Sequence, residues 1–212
     1  MVHFSTEIWC TFHLLFTAVN CKKAIQYYQE ALKVYTLDDS PMYYAAAHNN
    51  LGIAFQALAE VRDKALNCEK AIQHYQEALK VYTLDDSPMY YAGIQSNLGN
   101  VYQTLAEVRD KALNCEKAIQ HYQKALNVYT LDDSPMYYAA THNNLGIAFQ
   151  ALAEVKDMAV NCEKAIRYYQ EALKVFDEED FPEGYRRIIE KKIEELFIEC
   201  NINSINMVHP IF

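Results

Sequence analysis

Cysteine is the residue of this chain whose chemistry depends most directly on its spacing. Cys21, Cys68, Cys115 and Cys162 follow one another at intervals of 47 residues. Equivalent positions of neighbouring helical repeats lie roughly 10 Å apart, whereas a disulfide needs Cα atoms about 4.4–6.8 Å apart. The spacing therefore predicts that Cys68, Cys115 and Cys162 are free thiols, which suits a reducing compartment. A thiol at a helix N-terminus can be reactive, but a small buried residue at a helix start is the simpler interpretation.

The histidines repeat in the same way, since His74 corresponds to His121 and His48 to His142. A shared zinc ion needs ligand nitrogens about 2.0–2.1 Å from the metal. Histidines one or two repeats apart cannot meet that distance, so the sequence predicts no metal site and no cofactor.

Motifs of enzymes are missing from the sequence. It contains no glycine-rich phosphate loop, no HExxH and no CxxC. The paired carboxylates, such as Asp85 and Asp86, precede a helix N-terminus, where negative charge favours the helix dipole. We therefore predict that the chain is not an enzyme.

Charge and hydropathy limit the partners further. The net charge is −9, whereas proteins that bind a phosphate backbone present a basic face. No stretch approaches the roughly 20 apolar residues of a membrane span. The sequence thus predicts no nucleic acid and no membrane as a partner, and a cytoplasmic protein.

Internal repetition organises the chain. Full units span residues 21–67, 68–114 and 115–161, a partial unit spans 162–175, and the first and third units differ at eight of 47 positions. Residues 1–20 are expected to form an N-terminal capping helix or a leader. Residues 176–200 are expected to form a C-terminal capping helix, and residues 201–212 a frayed tail.

Each unit contains two helical patterns. One runs from Pro41 to about Val61, with Ser40 as its N-cap and proline at the first position. The other runs from Cys68 to about Tyr82, with Asn67 as its N-cap. The residues between the two patterns, 62–66, are compatible with a helical turn or a loop.

Apolar residues at helical spacing predict the buried faces. On the first pattern these are Tyr44, His48, Leu51, Phe55 and Leu58, with Leu98 in the middle unit; on the C-terminal helix they are Ile188, Ile189, Ile193, Leu196 and Phe197. Gly52 lies within the first pattern although glycine costs about 1 kcal/mol there. A small residue at this position would let the paired helix approach closely.

Two short motifs carry a family resemblance. Leu98-Gly99 with Tyr102, and Ala71 with Tyr75 and Ala78, resemble the tetratricopeptide repeat, whose usual unit has about 34 residues. The string from Pro41 to Gly52 is similar to the longer repeats of kinesin light chains. The resemblance covers residues 21–175 and implies an all-α, right-handed superhelical solenoid of antiparallel helix pairs.

The resemblance also implies which helix lines the inner, concave face of the array. It places there a row of asparagines, namely Asn50, Asn97 and Asn144, with Asn49, Asn143 and Asn100 beside them. The asparagine amide both donates and accepts hydrogen bonds, so such a ladder can hold the backbone of an extended peptide. Bonds to adjacent helices or to water are the alternative role for these side chains.

Charged and aromatic residues flank the asparagine row in each unit. Glutamates recur at one end and tyrosines at the other: Glu60, Glu107 and Glu154, and Tyr43, Tyr90 and Tyr137. Basic residues such as Arg62 and Lys64 lie near the helix ends. These features favour an extended peptide with Lys or Arg side chains, although a solvated face would also explain the glutamates.

The sequence thus predicts a non-catalytic protein-interaction scaffold that binds a protein or a peptide. Two alternatives are a repeat module that self-associates into a homo-oligomer, and an interaction fragment of a larger signalling protein.

Overall fold

The computed structural model describes residues 3–176 and 183–200, and side chains within 17–175 and 184–200. The described residues form eight helices and no strand, so the protein is all-α. The chain divides into two compact units, Met1–Asp110 and Lys111–Phe212. They are called unit 1 and unit 2 below, and the 47-residue segments are called repeats. The predicted tail, 201–212, lies outside the described residues.

Each unit contains four helices, and consecutive helices pack on each other. Unit 1 contains α1 (His3–Ala31), α2 (Pro41–Ala59), α3 (Lys64–Ala78) and α4 (Pro88–Ala106). Unit 2 contains α5 (Lys111–Ala125), α6 (Pro135–Ala153), α7 (Met158–Phe176) and α8 (Glu183–Glu199). The residues expected to form a separate N-terminal element continue without a break into the first helix of the first repeat.

The Ser-Pro pair starts α2, α4 and α6. Ser40 has non-helical backbone angles, Pro41 is the first helical residue, and the Tyr44 N–H donates to the Ser40 carbonyl at 2.9 Å. The Ser40 hydroxyl makes no capping hydrogen bond. The turn is instead held by Thr36, whose hydroxyl donates to Asp39 at 2.9 Å. The same threonine–aspartate pair holds the turns before α4 and α6.

The predicted N-cap of the second helix is wrong. Helix α3 begins at Lys64, and Asp63, at φ 46°, occupies the N-cap position in the left-handed region. Asn67 lies inside the helix, is buried, and donates from Nδ2 to the Arg62 carbonyl at 2.8 Å. Asn161 donates to the Lys156 carbonyl in the same way. The asparagine therefore closes the inter-helix turn from within, which sequence spacing alone does not distinguish from capping.

The core of each unit is built around a buried tyrosine and a glycine. In unit 1, Leu51, Tyr75 and Leu98 are at most 1% exposed. A Cβ built on Gly52 would lie 2.5 Å from the Tyr75 ring, and one on Gly146 would lie 2.5 Å from the Tyr169 ring of unit 2. The expectation that Gly52 permits a close helix approach is confirmed, because any larger side chain would overlap the ring.

Helix α8 covers part of unit 2 with a narrower stripe than predicted. Ile189 and Leu196 are buried, but Ile188 is 56% exposed. Seven residues separate the two buried positions, so they share one helix face. Ile188 lies beside that face rather than on it.

Helix α8 also overturns the prediction for Cys162. The structure pairs Cys162 of α7 with Cys200, which follows α8, with Cα atoms 6.4 Å apart. The prediction considered only equivalent positions of the repeats, and Cys200 has no equivalent in them. Cys21, Cys68 and Cys115 are free and buried, as expected for Cys68 and Cys115. Burial raises the pKa of the Cys68 thiol to about 11, so the reactive-thiol interpretation loses its basis.

Candidate peptide-binding surface

The predicted asparagine row lies on helices that begin at the Ser-Pro pairs. Asn50 on α2 and Asn97 on α4 are both partly exposed, and these two helices contact each other within unit 1. Asn144 holds the corresponding place on α6 of unit 2 and is also partly exposed. The structure therefore brings Asn50 and Asn97 onto neighbouring helices of one unit.

Asn49 carries an unsatisfied polar atom beside this row. Among the described residues, its Oδ1 is buried and accepts no hydrogen bond. A buried carbonyl oxygen without a donor costs about 1–3 kcal/mol, and a water molecule or a ligand N–H would recover that energy. Asn100 is partly exposed and stands where the first and third repeats have isoleucine. Its backbone carbonyl accepts a hydrogen bond from the Thr104 hydroxyl at 3.1 Å.

The predicted tyrosines form a stacked pair in each repeat. Tyr43 stacks on Tyr35 with ring centroids 5.0 Å apart and remains 65% exposed. The equivalent pairs are Tyr82 with Tyr90 at 4.7 Å, and Tyr129 with Tyr137 at 4.9 Å. Each pair fixes the orientation of an exposed aromatic ring, which can then bind without losing much side-chain freedom.

The predicted glutamates are already engaged by the protein. Lys64 pairs with Glu107 in unit 1, and Lys111 pairs with Glu154 in unit 2. Glu60 accepts a hydrogen bond from the Thr104 hydroxyl at 3.2 Å. Lys64 lies at a helix end, as expected, because it is the first residue of α3. From there it reaches Glu107 of the next repeat.

In unit 2 the asparagines line a partly open, mainly apolar cavity. Its volume is about 380 Å³, and it lies between α6 and α8. It is lined by Met136, Ala139, Ala140, Asn143, Asn144, Tyr185, Ile188, Ile189 and Lys192. The Lys192 ammonium lies 5.3 Å from the centroid of the Tyr169 ring, and burial lowers the pKa of this lysine. Unit 2 therefore adds an apolar pocket and a cation that the repeat pattern did not predict.

Two histidines that are not equivalent positions meet across the boundary between the first and second repeats. The Nδ1 atoms of His48 and His74 lie 3.0 Å apart, so one ring must donate and the other accept. Burial lowers the pKa of His74 to about 4, and the neighbouring His48 acts electrostatically in the same direction. The contact joins α2 to α3. The two histidines are 26 residues apart on paired helices, and this separation is the sequence signal that could have identified the contact.

The corresponding histidine of unit 2 has lost its partner. Tyr168 stands where His74 would be, and the buried His142 Nδ1 has no hydrogen-bond partner among the residues that the structure describes. Burial lowers the pKa of His142 to about 4. His74 and His142 are therefore neutral near pH 7. His48 and His142 are buried in the core.

Comparison with known proteins gives no family for the chain. No protein-family model matches the sequence, and no curated protein matches it. In the described parts of the chain, no helix has the length and apolar character of a membrane span. The same residues contain no group of three His, Cys, Asp or Glu side chains that could hold a metal ion.

Proposed function

We propose that this chain is a non-catalytic protein-interaction module of the tetratricopeptide type, a right-handed solenoid, and that α2 and α4 bind an extended peptide. The observation that carries the proposal is the pair of partly exposed asparagines, Asn50 on α2 and Asn97 on α4, on two helices that contact each other. An extended peptide presents an N–H and a carbonyl at each residue, and asparagine amides can pair with both.

The peptide is proposed to carry Lys or Arg side chains. These would compete with Lys64 for Glu107, which that lysine now contacts. Exposed ion pairs contribute only about 0–1 kcal/mol, so a ligand cation can replace the internal lysine at small cost. At the other end of α2 and α4, the exposed Tyr43 and Tyr90 rings offer cation–π contacts to further Lys or Arg side chains of the peptide.

A basic peptide library tests this function by fluorescence anisotropy at low salt. Asn50→Ala with Asn97→Ala should weaken binding at least tenfold, whereas Asn127→Ala, an exposed asparagine on a turn of unit 2, should leave it unchanged. Replacement of Glu60 and Glu107 by Gln tests the charge preference separately. Equal loss in the Asn127→Ala control, or no binding by the parent, would reject the proposal.

Self-association is the second candidate function. Leu66 and Val108 of unit 1 are 52% and 51% exposed, and apolar side chains exposed near the helix–helix turns suit contact with another copy. Light scattering at several concentrations separates this function from peptide binding.

A cytoplasmic location is proposed from the free thiols of Cys21, Cys68 and Cys115. Among the described cysteines, the Cys162–Cys200 pair does not suit this location, because a reducing compartment would keep both thiols free.

A further inference from the structure

A further cavity lies in unit 1, and the asparagine row does not line it. Helices α1, α2 and α3 form an open groove of about 370 Å³ between them, which is called the first-repeat cavity below. Ile25, Phe55 and Leu58 form an apolar floor and are each less than 9% exposed. Leu66 of α3 adds an exposed apolar side chain at the rim. Cavities of roughly 300–1,000 Å³ with apolar walls are typical of ligand sites.

The rim of this cavity is predominantly basic. Lys22, Arg62 and Lys70 line it together with one acidic residue, Asp63. Asp63 accepts from Arg62 at 3.1 Å, and the Lys70 ammonium lies 5.3 Å from the centroid of the Phe55 ring. Among the described residues, Lys22 has no carboxylate partner. Two of the three cations, Lys22 and Lys70, are therefore not neutralised by a carboxylate of any residue whose side chain the structure describes.

The equivalent cavity of unit 2 lacks this excess charge. It has a volume of about 340 Å³, and Glu116 stands at the place that Lys22 occupies in unit 1. Glu116 pairs with Lys156 at 2.6 Å, and Lys156 corresponds to Arg62. The second repeat has the same bridge, because Glu69 pairs with Arg109 within unit 1. The first repeat alone among the three replaces the acid of this bridge by a base.

From this difference we infer that the first-repeat cavity binds an acidic peptide segment of a partner protein, with an apolar side chain on the floor and carboxylates at Lys22 and Lys70. Unlike charges attract and an apolar side chain gains by leaving water, so this combination matches both the rim and the floor. The site lies apart from the asparagine row, and its ligand has the opposite charge to the peptide proposed there.

A charge exchange between the two cavities tests the inference. The probe is a fluorescent hexapeptide with two aromatic residues flanked by glutamates, and the matched control peptide carries glutamine in place of each glutamate. Binding is measured by anisotropy and by isothermal titration, on the full chain, for the parent, Lys22→Glu and Glu116→Lys. Both positions lie on the surface beside their cavities, so the variants should fold, and circular dichroism checks that they do.

We expect the parent chain to bind one acidic peptide. Lys22→Glu should bind it at least tenfold more weakly, and Glu116→Lys should bind a second peptide. The glutamine peptide should bind at least tenfold more weakly than the acidic one. Binding by Lys22→Glu within twofold of the parent would overturn the inference, as would the absence of binding by the parent. Self-association of the parent that Lys22→Glu abolishes would identify a second copy as the occupant, and would also overturn it.

Discussion

Replacement of Gly52 by alanine isolates the contact on which the packing of α2 against α3 depends. The added Cβ would lie 2.5, 2.6 and 2.8 Å from three carbons of the Tyr75 ring. Ordinary contacts between carbon atoms begin near 3.5 Å, so the ring or the helix must move by about 1 Å. Tyr75 has little freedom to move, because it is fully buried and its hydroxyl donates to Gln56 at 2.9 Å.

Two effects of opposite sign determine the result. Alanine is favoured over glycine in a helix interior by about 1 kcal/mol, whereas overpacking of a filled core costs about 1–3 kcal/mol. The full burial of the ring places the cost near the upper end of that range. Gly52→Ala should therefore destabilise the protein by about 2 kcal/mol net, and Gly146→Ala should behave alike, since its distances to Tyr169 are the same.

Urea unfolding followed by circular dichroism measures this loss, and Gly184→Ala provides the matched control. Gly184 lies in α8 with no neighbouring atom within 4 Å of an added Cβ, so its replacement should be neutral or stabilising by up to about 1 kcal/mol. In a Tyr75→Leu background, Gly52→Ala should cost much less because the ring is gone. A Gly52→Ala protein as stable as the parent would refute the reasoning.

Three further outcomes follow from the structure. Burial lowers the pKa of His74, His121 and His142 to about 4, against 6.5 for an ordinary histidine. Between these two pH values the unfolded chain binds more protons than the folded chain. The free energy of unfolding should therefore be highest above about pH 6.5 and fall toward pH 4, by about 1 kcal/mol or more per histidine. Urea unfolding across that range checks the sign, and His142→Gln should flatten the curve. Asp157→Gly should stabilise by about 0.5–1 kcal/mol, because Asp157 has φ 44° and glycine adopts that conformation without strain; a loss in urea unfolding would contradict this. Leu98→Ala should cost about 2–5 kcal/mol, since Leu98 is 1% exposed, and a change below about 0.5 kcal/mol would show that the side chain contributes no packing.

Local chemistry made the helices and the core predictable from the sequence. The Ser-Pro pairs place the starts of α2, α4 and α6 at Pro41, Pro88 and Pro135, because proline fixes the backbone angle of a first helical residue. Leu51 and Leu98 were expected in the core and are buried, since apolar residues at helical spacing must share one face. Each of these features depends on residues within a few turns of one helix.

Other features of the candidate site depend on residues that are distant in sequence. Lys64 reaches Glu107 across 43 residues, and His48 meets His74 across 26. The N-cap was misplaced because Asn67 satisfies the Arg62 carbonyl from inside the helix. Distances between helices decide such contacts, and periodicity along the chain does not contain those distances.

Periodic residues along the chain are enough to specify an all-α protein of 47-residue repeats, because near-identical segments form near-identical helices. Packing between helices sets how each repeat uses the residues that differ. It joined Cys162 to Cys200, placed Lys192 beside Asn143 and Asn144, and left the basic rim of Lys22 and Arg62 without the bridge of the other repeats. A substitution changes function through the neighbours that packing brings to it, and those neighbours come from other helices.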